Sequence, residues 1–179
     1  LFYKKGWSGI NIEPNTSRLK LFNILRRRDI NLNIGIGEKE SEMYFNIFNE
    51  LIPFNKYIGL ELETLSDGYA KASIKFKPEL MGDARIQAIH GGVISAAMDA
   101  VGGIAGIATL SSFEDKIVTV DMRVDYIRSA RNTDLIIEAR IVRSGNKIIT
   151  TNMQVFAAVD ATLVAEGRGV YHVSRKKTA

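Results

Sequence analysis

Residues 90–106 read HGGVISAAMDAVGGIAG, an apolar run that opens on a histidine and two glycines and contains one carboxylate, Asp99. The run predicts a single long helix over about residues 91–110 that is apolar on nearly every side. A membrane span is the alternative, because the length approaches the roughly 20 residues that a bilayer requires. Asp99 near the centre and the prevalence of glycine and alanine over leucine favour a helix buried inside a soluble protein.

After the helix, apolar and polar residues alternate, which is typical of half-buried strands. In KIVTVDMRVDYI (116–127), one face is predicted to carry the apolar side chains Val118, Val120, Met122, Val124 and Tyr126. Segments rich in β-branched residues follow, with short breaks that favour antiparallel neighbours, at 134–143, 146–159 and 161–173. Before the helix, residues 57–76 predict a hairpin that turns at Ser66-Asp67-Gly68.

The predicted order is two strands, one long helix and four strands. A helix that is apolar on most sides must be surrounded, and one antiparallel sheet of about six strands can wrap around it. This arrangement is the α+β hotdog fold, which we expect over residues 50–179. The sheet of one chain covers the helix from one side only, so we expect a homodimer, or a homotetramer built as a dimer of dimers.

Residues 1–49 follow a different plan. They predict a short strand ending at Glu13, a helix, a strand over 30–36 and a further strand or helix. The segments GINIEP (9–14) and RDINLNIGIGEKESEMYFNIF (28–48) resemble an interior fragment of an FkbM-type methyltransferase. The glycine-rich strand and loop with which that family holds S-adenosylmethionine are missing, so no methyltransferase activity is expected. Because the piece is too short to bury a core, we expect an extension or fused fragment and not an independent domain.

Charge and composition exclude several function classes. The net charge is +4, and the basic residues are spread along the chain apart from 26–28 and 175–177. Nucleic-acid binding usually needs denser clusters, so no nucleic-acid partner is expected. With no cysteine and only two histidines, His90 and His172, neither a metal site nor a bound cofactor is expected. The first residues lack the apolar core of a signal peptide, which predicts a cytoplasmic protein without a membrane partner.

Residues 50–179 resemble the PaaI-like branch of the hotdog thioesterases. The resemblance rests on five segments in a fixed order: IPFNKYIGLELE (52–63), PELMGDARIQAIHGGVISAAMDAVGG (78–103), VTVDMRVDYIRSAR (118–131), RSGNKIITTNMQV (143–155) and LVAEGRGVYHV (163–173). It implies that the protein hydrolyses acyl-coenzyme A thioesters to the free acid and CoA. A non-catalytic acyl-CoA-binding hotdog protein is the alternative. A hotdog hydratase is not expected, because the Asp and His five residues apart that such enzymes use do not occur here.

The start of the long helix is a candidate oxyanion site. Gly91 and Gly92 remove side chains there and leave backbone N–H groups free to bind a thioester oxygen as it gains charge. The alternative is that the two glycines only permit close packing at a corner. The resemblance implies that His90 shapes this corner by hydrogen bonding.

Asp99 is the candidate general base or nucleophile, and the sequence does not choose between these roles. A structural carboxylate held by a hydroxyl or an arginine is the alternative. Asp99 lies nine residues after His90, the residue that precedes the Gly91 amide, which in a helix corresponds to about 13 Å of rise and about half a revolution. If both serve one reaction, the site must therefore be shared across the two-fold axis of a dimer. The resemblance gives Thr119 the task of orienting the carboxylate or the attacking water, although its β-branching alone suits a strand.

The remaining candidates concern substrate binding. The family commonly has an asparagine before the histidine, where this chain has Gly82-Asp83, and an ionised Asp83 cannot donate a hydrogen bond. The phosphates of CoA require cations at the rim of the site. The candidates are Arg123, Arg128, Arg131, Arg143 and Lys147.

Overall fold

The computed structural model describes residues 38–110, 112 and 115–175, so residues 1–37 of the methyltransferase-like segment lie outside the described residues. The elements that precede the long helix are, in chain order, α1 (Glu38–Asn46), a π-helical turn (Ile47–Leu51), α2 (Pro53–Ile58), β1 (Leu60–Ser66), β2 (Tyr69–Ile74), a 3-10 turn (Pro78–Leu80), β3 (Met81–Asp83) and β4 (Ala88–Ile89). The long helix and the strands after it are α3 (Gly91–Ile107), β5 (Lys116–Tyr126), β6 (Leu135–Ser144), β7 (Ile148–Ala157) and β8 (Leu163–Ser174).

The six long strands form one antiparallel sheet in the order β1-β2-β6-β7-β8-β5, and β3 pairs with β4 in a separate ribbon. The α3 helix packs on the inner face of the large sheet. The predicted hotdog fold is thereby confirmed. The expectation that short breaks join neighbours holds for β6, β7 and β8 but is wrong for β5. Residues 127–134 carry the chain past the end of the sheet, so β5 pairs with β8 and lies at an edge.

The α3 helix buries one stripe of side chains and leaves the opposite face partly uncovered. Its buried residues recur at helical spacing, namely Ile94, Ala97, Met98, Val101, Ile104 and Ala105. Fully buried alanines on β2 and β6 let the helix approach the sheet closely. The helix ends at Ile107, three residues before the predicted end. Within the residues that the structure describes, no helix has the length and hydropathy needed to cross a membrane.

Side chains before residue 50 contribute to the core. Phe48 is 2% exposed, and Tyr44 and Phe45 pack against the same core cluster. The Asn49 side chain accepts a hydrogen bond from the Leu62 N–H at 2.7 Å and donates to the Leu62 carbonyl at 3.4 Å. These contacts tie residues 44–49 to β1, whereas the predicted boundary assigns them to the extension. The division of the chain at residue 49 stays a prediction.

The predicted alternation of β5 is wrong in the first half of the strand. Val118 and Val120 are each 58% exposed, whereas Thr119, although itself exposed, lies on the helix side of the sheet and bonds to α3. The register with β8 shifts between Thr119 and Asp121, which leaves Val120 as the extra residue of a β-bulge. After the bulge, the alternation of inward and outward side chains again matches the prediction, and Met122 and Val124 pack against the core.

Asp134, just before β6, forms hydrogen bonds with the residues that follow β2. Its carboxylate accepts hydrogen bonds from the Phe76 N–H at 2.8 Å and the Lys75 ammonium at 2.9 Å. The Phe76 amide, followed by Lys75, lowers the pKa of this carboxyl group.

We expect Asp134→Asn to lower the free energy of unfolding by about 1 kcal/mol at pH 7, because the charge-assisted bond to the Phe76 amide is weakened. The pKa of Asp134 is lower in the folded protein than in the unfolded chain, where it is about 4. The carboxylate therefore stabilises the fold fully above about pH 4, and this stabilisation is lost as the pH falls through the pKa of the folded protein. Urea titrations at pH 7 and at about pH 3 measure the difference, which should shrink at the lower pH. An equal difference at both pH values would contradict the assignment.

Candidate active site

His90 caps the start of α3 with its ring. It has extended backbone angles, φ −63 and ψ 133, and its Nδ1 accepts a hydrogen bond from the Gly92 N–H at 2.9 Å. Because Nδ1 is an acceptor, the neutral ring carries its proton on Nε2. The expectation that the Gly92 amide is a free donor is therefore wrong.

The Gly91 N–H, in contrast, remains available as a donor. Within the described parts of the chain, its N–H has no hydrogen-bond acceptor. Its carbonyl accepts from the Tyr126 hydroxyl at 2.9 Å, and a Cβ at Gly91 would lie 3.3 Å from the Tyr126 ring. Gly91 lines a cleft of about 290 Å³ together with Ala88, Ile89, Ile94, Tyr126, Ile127, Arg128, Ser129 and Ala130. One amide at the positive end of the helix is thus available to a ligand in this cleft.

The β3–β4 ribbon fixes the position of His90. The His90 N–H donates to the Leu80 carbonyl at 2.8 Å, and the Ile89 N–H donates to the Ala130 carbonyl at 3.0 Å. A Cβ at Gly82 would lie 2.9 Å from the His90 Cα, so the ribbon can approach this closely only with glycine at position 82.

Asp83 is an acceptor engaged with its own neighbour. Its carboxylate accepts from the Arg85 N–H at 3.0 Å and from the Arg85 guanidinium at 3.0 and 2.7 Å. The guanidinium holds the pKa of Asp83 below its usual range. Asp83 therefore cannot replace the amide donor of an asparagine, as its ionised state predicts.

Asp99 and Thr119 are brought together from two different elements. Asp99 is half-buried in the third turn of α3, and its Oδ1 accepts a hydrogen bond from the Thr119 hydroxyl of β5 at 2.7 Å. Within the described residues, Asp99 Oδ2 accepts no hydrogen bond. The carboxylate is therefore oriented by one oxygen and open at the other, which suits a group that binds or activates water.

Two tyrosines near these groups were missed by the sequence analysis as functional candidates. Tyr126 is predicted only as part of the apolar face of residues 116–127, whereas its hydroxyl contacts the Gly91 carbonyl. Tyr171 is 1% exposed, and its hydroxyl donates to the Asp99 backbone carbonyl at 3.3 Å. The sequence carries a signal for Tyr171 in GRGVY (167–171), because glycines two and four residues before an inward aromatic side chain make room for it.

The predicted cations do not form one cluster within a single chain. Arg128 lines the cleft at the start of α3 and donates to the Leu163 carbonyl at 3.4 Å, and Arg131 forms a backbone bridge with Ala88 beside the same cleft. Arg123 is exposed and paired with Asp125 at 3.1 Å. The last two, Arg143 and Lys147, flank the β6–β7 turn. Only Arg128 and Arg131 thus lie near the Gly91 amide.

In the part of the chain that the structure describes, no three His, Cys, Asp or Glu side chains are placed to hold one metal ion. The polar groups that the structure places at the candidate site are an amide, a carboxylate and hydroxyls.

Known proteins share this architecture. The family model described as Thioesterase superfamily matches residues 87–164, which include His90, Gly91, Asp99 and Thr119. A solved structure of a protein from the thioesterase superfamily is 30% identical, covers 75% of this chain and 97% of its own, and superposes with a TM-score of 0.67. The chain belongs to the thioesterase superfamily.

Further relatives each cover about three quarters of the chain. The medium/long-chain acyl-CoA thioesterase YigI of Salmonella typhimurium is 27% identical over 149 residues, which are 76% of this chain and 96% of the relative. A solved structure from Shewanella oneidensis is 29% identical and covers 74% of this chain and 94% of its own, with a TM-score of 0.66. The prediction of a thioesterase is confirmed, and the methyltransferase resemblance of residues 1–48 stays a prediction.

Proposed function

We propose that the protein hydrolyses acyl-CoA thioesters to the free acid and CoA, in the manner of the PaaI-like thioesterases, with a site shared between two copies of the chain. The observation that carries the proposal is the hydrogen bond between Thr119 and Asp99, which orients the carboxylate through Oδ1 and leaves Oδ2 able to bind water. The name of the YigI relative supports a CoA ester as substrate, and its medium or long acyl chains are a first choice for assays.

The chemistry follows from the two groups that have free capacity. The thioester oxygen accepts from the Gly91 N–H, which stabilises the charge that develops as the carbonyl carbon becomes tetrahedral. Asp99 takes a proton from water as the water oxygen bonds to that carbon. The C–S bond then breaks, and the CoA thiolate leaves and takes up the proton that Asp99 holds, which restores the carboxylate. The same carboxylate can instead attack the carbon directly and form an anhydride that water cleaves.

The geometry of α3 supports a shared site. Gly91 and Asp99 are separated by eight residues of helix, which corresponds to a rise of about 12 Å, a little over two turns. A thioester carbonyl bound at Gly91 is therefore out of reach of Asp99 in the same chain. A two-fold axis beside α3 places the helix start of one copy next to the carboxylate of the other.

The edge strand β5 supports the proposal that a second copy of the chain binds here. It has eleven residues, pairs on one side with β8, and exposes Val118 and Val120 at 58% each. A long edge strand with exposed apolar side chains is a template for pairing with another chain. Antiparallel pairing of two β5 edges about a two-fold axis joins two sheets and sets the two α3 helices side by side.

Mixing two inactive variants tests the shared site. We expect Asp99→Asn and Gly91→Pro homodimers to lose nearly all activity, whereas heterodimers keep one site in which both groups are intact. Statistical mixing should restore about a quarter of wild-type activity, because half of the dimers are mixed and each has one working site. Co-expression with two affinity tags isolates the mixed species. A purified heterodimer without activity would show that both groups serve the same chain's site.

Turnover separates the proposed enzyme from the non-catalytic alternative. We expect release of free CoA, followed with a thiol reagent, from acyl-CoA esters of short, medium and long chain length. The chain contains no cysteine, so the protein itself adds no thiol signal. Binding of acyl-CoA in calorimetry without any release of CoA would instead support a binding protein.

A further inference from the structure

Tyr171 and Thr119 are directly opposed partners in the β5–β8 ladder, and both side chains reach Asp99. The Thr119 hydroxyl donates to the Asp99 carboxylate at 2.7 Å, and the Tyr171 hydroxyl donates to the Asp99 backbone carbonyl at 3.3 Å. One cross-strand pair therefore holds both ends of one residue. The two donors constrain different degrees of freedom, since Thr119 acts on the side-chain rotamer and Tyr171 on the helical turn.

Three glycines of α3 and β8 lie near the Tyr171 side chain, and two of them make its contact with Asp99 possible. A Cβ at Gly102 would lie 2.2 Å from the Tyr171 hydroxyl oxygen, and one at Gly169 would lie 2.6 Å from the ring. A Cβ at Gly103 would lie 3.8 Å from the ring, which is ordinary contact. Two of the three positions therefore admit only glycine while the phenol stays in place, so the packing of α3 on β8 is arranged around the Tyr171 hydroxyl.

The phenol can act only as a neutral donor. Burial, together with the nearby charge of Asp99, raises the pKa of Tyr171 far above its ordinary value. The hydroxyl therefore keeps its proton across the working pH range. Besides the Asp99 carbonyl, the hydroxyl has two other neighbours: the Met153 sulfur at 3.8 Å, which is a weak acceptor, and the Thr151 hydroxyl, which partly offsets the rise in the pKa.

We infer that Tyr171 is a positioning residue for thioester hydrolysis, which sets the turn of α3 that carries Asp99 while Thr119 sets the rotamer of its carboxylate. The inference rests on the proposed function. Misplacing a reacting group by about 1 Å can cost about 100-fold in rate. Removal of one of two constraints should therefore lower kcat and leave KM nearly unchanged, since Tyr171 is buried and does not reach the cleft at Gly91.

The test is Tyr171→Phe, which keeps the ring and removes the hydroxyl. We expect kcat to fall about tenfold with KM within about twofold, by comparison with the misplacement scale above. In the Asp99→Asn background the same change should alter the residual rate by less than about twofold, because a residue that acts through Asp99 has nothing left to position. A tenfold loss in both backgrounds overturns the inference. Tyr69→Phe, on the outer face of β2 against Arg140, is the matched control and should leave kcat unchanged.

Amide hydrogen exchange gives a readout that does not depend on turnover. The Gly103 N–H donates to the Asp99 carbonyl in the helix, so loss of the second donor should speed exchange at residues 100–103 relative to the first turns of α3. Absence of hydrolysis in the wild type would defeat the proposed function alone, and exchange would still decide the positioning. Unchanged exchange at residues 100–103 in Tyr171→Phe overturns the inference.

Discussion

Replacement of Asp99 by asparagine is expected to lower kcat for acyl-CoA hydrolysis by about 10²- to 10⁴-fold, the range typical for loss of a general acid or base. Asparagine keeps the size of the side chain and an oxygen that can accept from the Thr119 hydroxyl, so the local packing is preserved. The amide can neither take a proton from water nor attack a thioester. Either role of Asp99 is therefore abolished while the site keeps its shape.

Initial rates over a range of acyl-CoA concentrations measure the effect, and KM should stay within a few-fold of the wild-type value. Asp67→Asn is the matched control, because the two-residue turn Asp67-Gly68 between β1 and β2 accepts asparagine equally well. It should leave kcat unchanged. Activity of Asp99→Asn within about threefold of the wild type would exclude Asp99 from the chemistry and leave it the structural carboxylate of the alternative interpretation.

Gly91→Pro is expected to lower kcat by about 10²- to 10³-fold, the usual cost of removing one donor to an oxyanion. Proline deletes the N–H at residue 91 without breaking an intrahelical hydrogen bond, because the first position of a helix has no intrahelical acceptor for it. Its Cβ meets the Tyr126 ring, as the Cβ of alanine does. The preceding residue also suits proline, since His90 already has φ −63 and ψ 133.

Gly91→Ala serves as the control because it keeps the amide and adds only a Cβ. That atom would lie 3.3 Å from the Tyr126 ring, so the ring must give way by a few tenths of an ångström. We expect a loss of less than about tenfold for alanine, and thermal unfolding should confirm that both variants are folded. Equal losses for alanine and proline would assign the effect to space at Tyr126 and not to the amide.

The architecture could be predicted from the sequence because the spacing of apolar residues indicates which faces of a helix or strand are buried. The change from helical to alternating apolar residues at about residue 116 was sufficient to expect one helix inside a six-stranded sheet. It was not sufficient for β5, because a one-residue bulge preserves the composition of a strand while it changes which residues face inward. Likewise, the ring of His90 takes the Gly92 amide, a choice between two adjacent donors that only side-chain geometry reveals.

The candidate site was predictable to a similar extent. Asp99 and Gly91 were found because a lone carboxylate in an apolar helix and glycines at its start are unusual in composition. Tyr171 was not found, since a buried aromatic residue in a strand is ordinary until its hydroxyl is seen to reach the helix. The place of Arg143 and Lys147 at the β6–β7 turn, away from Arg128, depends on strand order, which short breaks alone did not predict.

The bulge at Val120 matters for how residues of this strand are matched between proteins. With strict alternation, β5 could turn Thr119 toward Asp99 or turn Met122 and Val124 toward the core, but not both. The extra residue lets one strand do both. In a relative whose β5 lacks the bulge, the corresponding threonine would lie two residues, and not three, before the residue that matches Met122. An alignment without a gap at this point therefore pairs Thr119 with an outward-facing residue, and a functional role would be transferred to the wrong side chain.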